Sequence, residues 1–367
     1  MSSLLKDIYS PAFYNRFADV LAHVLPDFDK KRFLSLIFID GYENKALKER
    51  MRHNSIVLHE FMPADFPVAA EMMEKIITRL RAEHFGEDSL AMMFLPDYIE
   101  VYGLDHYEAS VKSLEFITQF VSCEFAVRPF LLKYTDRMMM QMQLWSLHEN
   151  HKVRRFASEG SRPRLPWGLA IPALKKDPAP VLAVLENLKN DPSEWVRKSV
   201  ANNLNDISKD HPGVMMTIAR EWHGISKETD AIIKHASRTL LKSGHAEILQ
   251  HYGLESKSLT MTGFLILTPE VKIGDSLEFT FTVTNDHTEK QTVRLEYGIY
   301  YNKANGQLSK KVFKISERPY LAGEKIVVKR KQPFKPITTR TFYPGKHQLS
   351  VIINGEEKEL QSFDIFA

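Results

Sequence analysis

At Glu255 the hydrophobic pattern of the chain changes period, and that change decides what the chain can fold into. Before it, the segments Phe66 to Phe85, Tyr107 to Phe120 and Asp136 to Leu147 carry apolar residues at helical spacing. Pro26, Pro63, Pro96, Pro172, Pro178, Pro192 and Pro212 punctuate them, so helix after helix with short breaks is expected. After it, Leu259 to Thr262, Leu277 to Val283, Val293 to Tyr297, Ile326 to Val328 and Leu349 to Ile353 are β-rich and mostly alternating. Turn signals at Lys272 to Asp275, Asn305-Gly306, Ala322-Gly323, Pro344-Gly345 and Asn354-Gly355 separate about seven strands. That is the strand count of an immunoglobulin-like sandwich, here without a cysteine pair to pin it. The expected division is a helical domain over 1–255 and a β domain over 256–367. With 44% apolar residues in 367, the chain supplies two real cores.

A motif repeats within the helical domain. Val153-Arg154-Arg155-Phe156-Ala157 returns 43 residues later as Val196-Arg197-Lys198-Ser199-Val200, and 37 residues after that, more loosely, as Ile233 to Leu240. Such intervals are the periods of helical repeats, and the unit looks like HEAT, so the expected fold is mainly α, an α-solenoid followed by the sandwich. At 100° per residue Arg155 and Glu159 share one helix stripe, and Lys198, Asn202 and Asp206 form the corresponding stripe one repeat on. Glu124 lies 35 positions before Glu159, about one further repeat, so three acids can converge on one wall. Asp191 to Trp195 reads as a helix start, with Pro192 in the first turn and acids at the positive end of the dipole.

Several function classes drop out. No run of about 18 apolar residues exists, and the N-terminus lacks the pattern of a secretory signal, which predicts a cytoplasmic protein with no membrane partner. The single cysteine, Cys123, excludes an intrachain disulfide framework and is read as core packing. Among 14 histidines none stands at a recognised ligand spacing, His148 and His151 being the nearest approach, so no metal and no cofactor is expected. A Gly-rich phosphate loop and a serine nucleophile elbow are missing too, which disfavours nucleotide hydrolysis and esterase chemistry. The net charge of +3 is uneven, since Lys and Arg outnumber Asp and Glu by 17 to 12 after residue 255 and trail by 32 to 34 before it. Met138, Met139, Met140 and Met142 are read as interhelical filling, Trp145, Trp195 and Trp222 as packing. No heptad seam argues against a monomer.

Glu149 to Trp167, followed by Ser193 to Asp206, resembles the HEAT-repeat DNA alkylation-repair glycosylases, specifically their AlkC branch. The likeness lies in the order and spacing of these residues, spans roughly residues 1 to 250, and fits the C-terminal immunoglobulin-like domain that a subset of AlkC-like proteins carries. It implies hydrolysis of the N-glycosidic bond of N3-methylated bases such as 3-methyladenine and 3-methylcytosine in double-stranded DNA, without a metal. A cationic base is already a good leaving group, so such an enzyme stabilises an oxocarbenium-like sugar and presents water, both tasks for carboxylates. Glu159 and Asp206 are the expected central catalytic pair, with Glu124 in support, and Trp167 is the expected aromatic wall for the base. Arg154, Arg155, Arg162, Arg164, Arg197, Lys198 and Arg238 are candidate phosphate contacts, and Lys329, Arg330 and Lys331 a second basic cluster beside Lys335 and Arg340.

Each residue also has a plain structural reading. Arg154 and Arg197 occupy the slot where HEAT repeats place an inter-repeat ladder. Glu159 can pair with Arg155, Glu124 with Arg128 and Asp206 with Lys209, while Trp167 can anchor a buried loop and the lysines of the second cluster can protect a strand edge. The competing functions are a non-catalytic HEAT scaffold and a DNA-binding repair accessory that releases no base.

Overall fold

The computed structural model describes residues 4–337 and 340–367. The described chain divides into two units, Met1–Ala236 and Ser237–Ala367. In the first, α1 to α4 run Pro11–Val24, Lys30–Ile37, Leu47–His59 and Phe66–Ala82, and α5 to α8 run Phe94–Tyr102, Tyr107–Thr118, Arg128–Lys133 and Thr135–Trp145. Next come α9 to α11, at His151–Gly160, Pro172–Lys176 and Ala179–Leu188, then α12 to α14, at Glu194–Ile207, Pro212–Trp222 and Lys227–Ala236. Helix starts follow local chemistry. Proline stands at the first or second position of α1, α4, α7, α10 and α13, where its missing N–H is not needed. Ser10, Asp29, Asp65 and Asn150 accept a first-turn amide, capping α1, α2, α4 and α9. The start at α12 differs from expectation: Ser193 is the N-cap, and Pro192 stands before the helix.

The predicted solenoid is present. α12 packs between α9 and α14, which carry the repeated motif, while α8, α11 and α13 pack behind them. The two clear motif copies lie at the same phase in α9 and α12, with Val153, Phe156, Val196 and Val200 in the core. The third copy is broken, because the helix ends at Ala236 and a new one, α15 (Arg238–Lys242), begins after Ser237. Of the methionine run, Met138, Met139 and Met142 are buried as expected, but Met140 faces solvent. Cys123, Trp145 and Trp222 are buried, whereas Trp195 is only partly covered.

The second unit opens with α15 and α16 (Ala246–His251) and continues, among the described residues, as eight strands, β1 to β8, at Leu259–Ile266, Glu270–Lys272, Ser276–Asn285, Gln291–Asn302, Leu308–Tyr320, Lys325–Pro333, Gly345–Ile353 and Glu356–Phe366. They form a three-stranded sheet ordered β1-β3-β6 and a five-stranded sheet ordered β2-β8-β7-β4-β5, around a core that includes Phe279, Phe281, Leu295, Ile299, Val351 and Phe363. All pairings are antiparallel except β2 with β8.

Two short helices join this unit through the β7–β8 turn. Asn354 and Gly355 take φ of 47° and 78°, the conformation a two-residue hairpin of this hand requires. The Asn354 side chain donates to the carbonyls of Glu255 and Thr292 and accepts from the Arg294 amide. Gly244, at φ 73°, lies against Gly355, and a Cβ there would stand 2.8 Å from the Gly355 carbonyl oxygen. Gly244→Ala is therefore expected to destabilise the protein by about 1 to 3 kcal/mol, measured as a lower denaturant midpoint. An unchanged midpoint would mean that this glycine-to-glycine approach does not hold α15 and α16 on the sheet.

Candidate active site

Glu159 and Asp206 meet between α9 and α12. The helices approach closely because their facing residues are small and polar: Ser199 Oγ lies 3.0 Å from Ser158 Oγ, and Asn203 Nδ2 donates to the Ser158 carbonyl at 2.8 Å. Glu159 is 7% exposed and Asp206 1%. Between them lies Arg162, which donates from Nη1 to Glu159 Oε1 at 2.7 Å and from Nε to Asp206 Oδ2 at 2.8 Å. Its Nη2 is also 2.8 Å from Asp206 Oδ2. Ser199 donates to Glu159 Oε2 at 2.6 Å and Lys209 to Asp206 Oδ1 at 2.8 Å, so all four carboxylate oxygens have donors. Burial would lower the pKa of Arg162, but Glu159 and Asp206 hold it above its ordinary value.

Glu124 is placed differently. It precedes α7, and among the described residues its hydrogen-bonding partner is Arg155, whose Nη1 is 3.4 Å from Oε2. The expected pairing of Arg155 with Glu159 along one helix is not formed. Arg155 instead reaches back to Ser122 and Glu124, with its guanidinium 4.3 Å from the centre of the Trp195 ring. Trp195, read from sequence as packing, thus presents a partly exposed ring beside Glu124's partner. Glu124 and Trp167 share the wall of a cleft of about 750 Å³ that also includes Phe125, Ile56, Asp97 and Glu100. Glu159 and Asp206 are not on that wall; they lie beneath the surface.

Trp167 is no buried anchor, being 71% exposed with φ of 66°. Lys48 donates to its carbonyl, and Arg128 fixes the rest of the loop. Arg128 is fully buried and donates to the carbonyls of Gly160, Arg162 and Leu169 at 2.7, 2.7 and 2.8 Å. Burial, with Arg162 nearby, pushes its pKa down to about 10. It does not form the surface pair with Glu124 that the spacing suggested. The available signal was its flanks, Val127 before and Pro129-Phe130-Leu131 after, an apolar run unsuited to a surface arginine. In the cleft, burial raises the Asp97 and Glu100 carboxyls, opposed by Ser55 and Arg52 at Asp97 and by Arg52 at Glu100.

The other basic residues separate by partner. Arg154 forms the expected ladder: Nε and Nη2 meet Asp191 at 2.6 and 3.0 Å, and Nη1 donates to the His148 and Glu149 carbonyls. Arg197 donates to the Asp191 and Pro192 carbonyls, and Arg164 pairs with Asp210. Lys198 is exposed and shares a groove of about 410 Å³ between α12 and α14 with Arg197, Lys227 and His235. Arg238 opens α15 in the second unit. There the Lys329-Arg330-Lys331 cluster is split by strand alternation: Lys329 and Lys331 flank Glu278 at 3.5 and 2.7 Å, whereas Arg330 donates to the Ile315 carbonyl at 3.4 Å. β6 is an edge of its sheet, which the lysines line.

Comparison with known proteins agrees with this architecture. Residues 260–367 match the family model described as the C-terminal Ig-like domain of the uncharacterised protein YhaZ. The chain is 46% identical to the uncharacterised protein YhaZ of Bacillus subtilis over 98% of its own length and 99% of that protein's. It also matches the structure of the Pseudomonas fluorescens alkylpurine DNA glycosylase AlkC bound to DNA containing an abasic site analogue, with a TM-score of 0.92, 34% identity and 100% of both chains covered. The chain belongs to the AlkC family. No helix among the described residues is long and apolar enough to cross a membrane.

The ladder yields a test. Removing Arg154 leaves the Asp191 carboxylate buried without its partner, so Arg154→Ala is expected to lower stability by about 3 kcal/mol while the salt dependence of DNA binding stays as in wild type. A stable variant with a shallower salt slope would instead make Arg154 a phosphate contact.

Proposed function

We propose that this protein is a DNA glycosylase of base excision repair that hydrolyses the N-glycosidic bond of N3-alkylated, cationic bases, 3-methyladenine and 3-methylcytosine among them. The observation that carries the reading is the division of labour among the three acids. Glu159 and Asp206 are buried, fixed and fully hydrogen-bonded, while Glu124 keeps an oxygen without a hydrogen-bond partner among the described residues and stands on an open cleft. The AlkC likeness supports the class of reaction.

In the reaction the C1′–N bond breaks and its electron pair leaves with the base, which departs neutral because it entered as a cation. The sugar becomes oxocarbenium-like, and the buried negative charge of Glu159 and Asp206 opposes the charge developing on it. Water then attacks C1′ and gives up a proton. Glu124 is the acid suited to hold that water and accept the proton, because one of its oxygens accepts no hydrogen bond among the described residues, whereas every oxygen of Glu159 and Asp206 already accepts one. This reverses the order expected from sequence, which put Glu124 in support. Trp167 and Phe125 offer ring faces to the cationic base, worth about 0.5 to 2 kcal/mol over a single ring. Lys198 and Arg197 in the α12–α14 groove serve the phosphate backbone, where contact adds affinity without reading sequence.

The test is release of free base from methylated duplex DNA. Glu124→Gln is expected to slow release by roughly 100-fold to 1,000-fold at unchanged DNA affinity. Lys198→Ala is expected to weaken binding to all duplexes and to reduce the salt slope by about one unit. A wild type that binds methylated DNA and releases no base would favour the repeat scaffold instead.

A further inference from the structure

Among the arginines of the repeated segment, Arg162 is set apart by its surroundings. Two residues away Arg164 reaches a partly exposed carboxylate at the surface, whereas Arg162 is 6% exposed and spends all three guanidinium nitrogens on Glu159 and Asp206. Its backbone is fixed as well, since Arg128 donates to its carbonyl at 2.7 Å.

We propose that Arg162 is a positioning residue for glycosidic bond cleavage: it fixes Glu159 on α9 and Asp206 on α12 in one constellation and does not contact DNA phosphate. The inference rests on the glycosylase reading. Two carboxylates brought together out of water repel, and each alone would turn or take up a proton. A planar fork with donors on two edges satisfies both acids in one geometry, which an ammonium cannot do. Acids fixed in advance need no reorganisation as positive charge develops on the sugar. The outward course of the chain after Arg162 also matters, because Trp167 lies five residues on in the loop whose carbonyls Arg128 gathers. Arg128 thereby holds the Arg162 backbone and the Trp167 loop from one buried point.

The experiment compares Arg162→Lys and Arg162→Gln with wild type in single-turnover base release at saturating protein, in duplex binding across a salt series, and in thermal unfolding. Arg162→Lys, which keeps the charge and loses the fork, is expected to slow release by roughly 100-fold, with DNA affinity and salt slope unchanged. Adding Asp206→Asn to Arg162→Lys is expected to cost much less than the same change in wild type, because the two residues act as a unit. If Arg162→Gln does not fold, Arg162→Lys and Ser199→Ala, which removes the donor to Glu159 Oε2, carry the comparison. Wild-type release rates in Arg162→Lys, or a salt slope reduced by one with the saturated rate intact, would overturn the proposal. A wild type that releases no base removes the glycosylase reading itself, whereas wild-type release with an unaffected Arg162→Lys removes only this inference.

Discussion

The close packing of α9 on α12 is the constraint on which the site depends. Ser158, Ser199 and Asn203 let two helix backbones approach, and the Asn203 amide nitrogen donates across the seam to the Ser158 carbonyl, although its own Oδ1 is buried without a hydrogen-bond partner. That approach brings Glu159 and Asp206, 47 positions apart in the chain, within reach of one guanidinium. A larger side chain at Ser199 would separate the helices and the acids together. The repeat architecture thus supplies register as well as surface: each helix pair is positioned by its neighbours, and a residue at a fixed phase in one repeat meets its counterpart in the next.

Donors from Arg162, Lys209 and Ser199 then distinguish the two acids that are held at both oxygens from Glu124. Arg162 and Lys209 donate to Asp206, Arg162 and Ser199 donate to Glu159, and Glu124 is left with a single long contact to Arg155. A carboxylate with donors on both oxygens is a fixed charge; one with an oxygen to spare is a base.

Much of this was legible in the sequence, and the limits have a physical pattern. The repeat was readable because Val153-Arg154-Arg155-Phe156 and Val196-Arg197-Lys198-Ser199 carry a hydrophobic phase that helix packing dictates. The sandwich was readable from alternation in β1, β3, β4 and β7, whereas β5 and β8 escaped because Lys310, Lys311, Lys314, Glu356, Glu357 and Glu359 hide the apolar period of strands with one polar face. Of the local pairings expected for the three acids, Asp206 with Lys209 is present and the other two are not. Pairing Arg155 with Glu159, or Glu124 with Arg128, assumes that side chains bond along their own helix. The observed links from Arg155 to Glu124, from Arg162 to Asp206 and from Arg154 to Asp191 span 31, 44 and 37 positions, distances set by the repeat and invisible to local spacing.

The placement of the acids also answers how carboxylates persist on a face meant for a polyanion. Two unshielded carboxylates on an open groove would repel the phosphates that Lys198 and Arg197 are proposed to contact. Glu159 and Asp206 avoid this by lying beneath the surface with cations bound to them, so a backbone running past meets little net negative charge. In the proposed reaction, a positive charge developing on the sugar at short range and out of water would meet carboxylates that cannot turn away, where the low local dielectric strengthens the interaction.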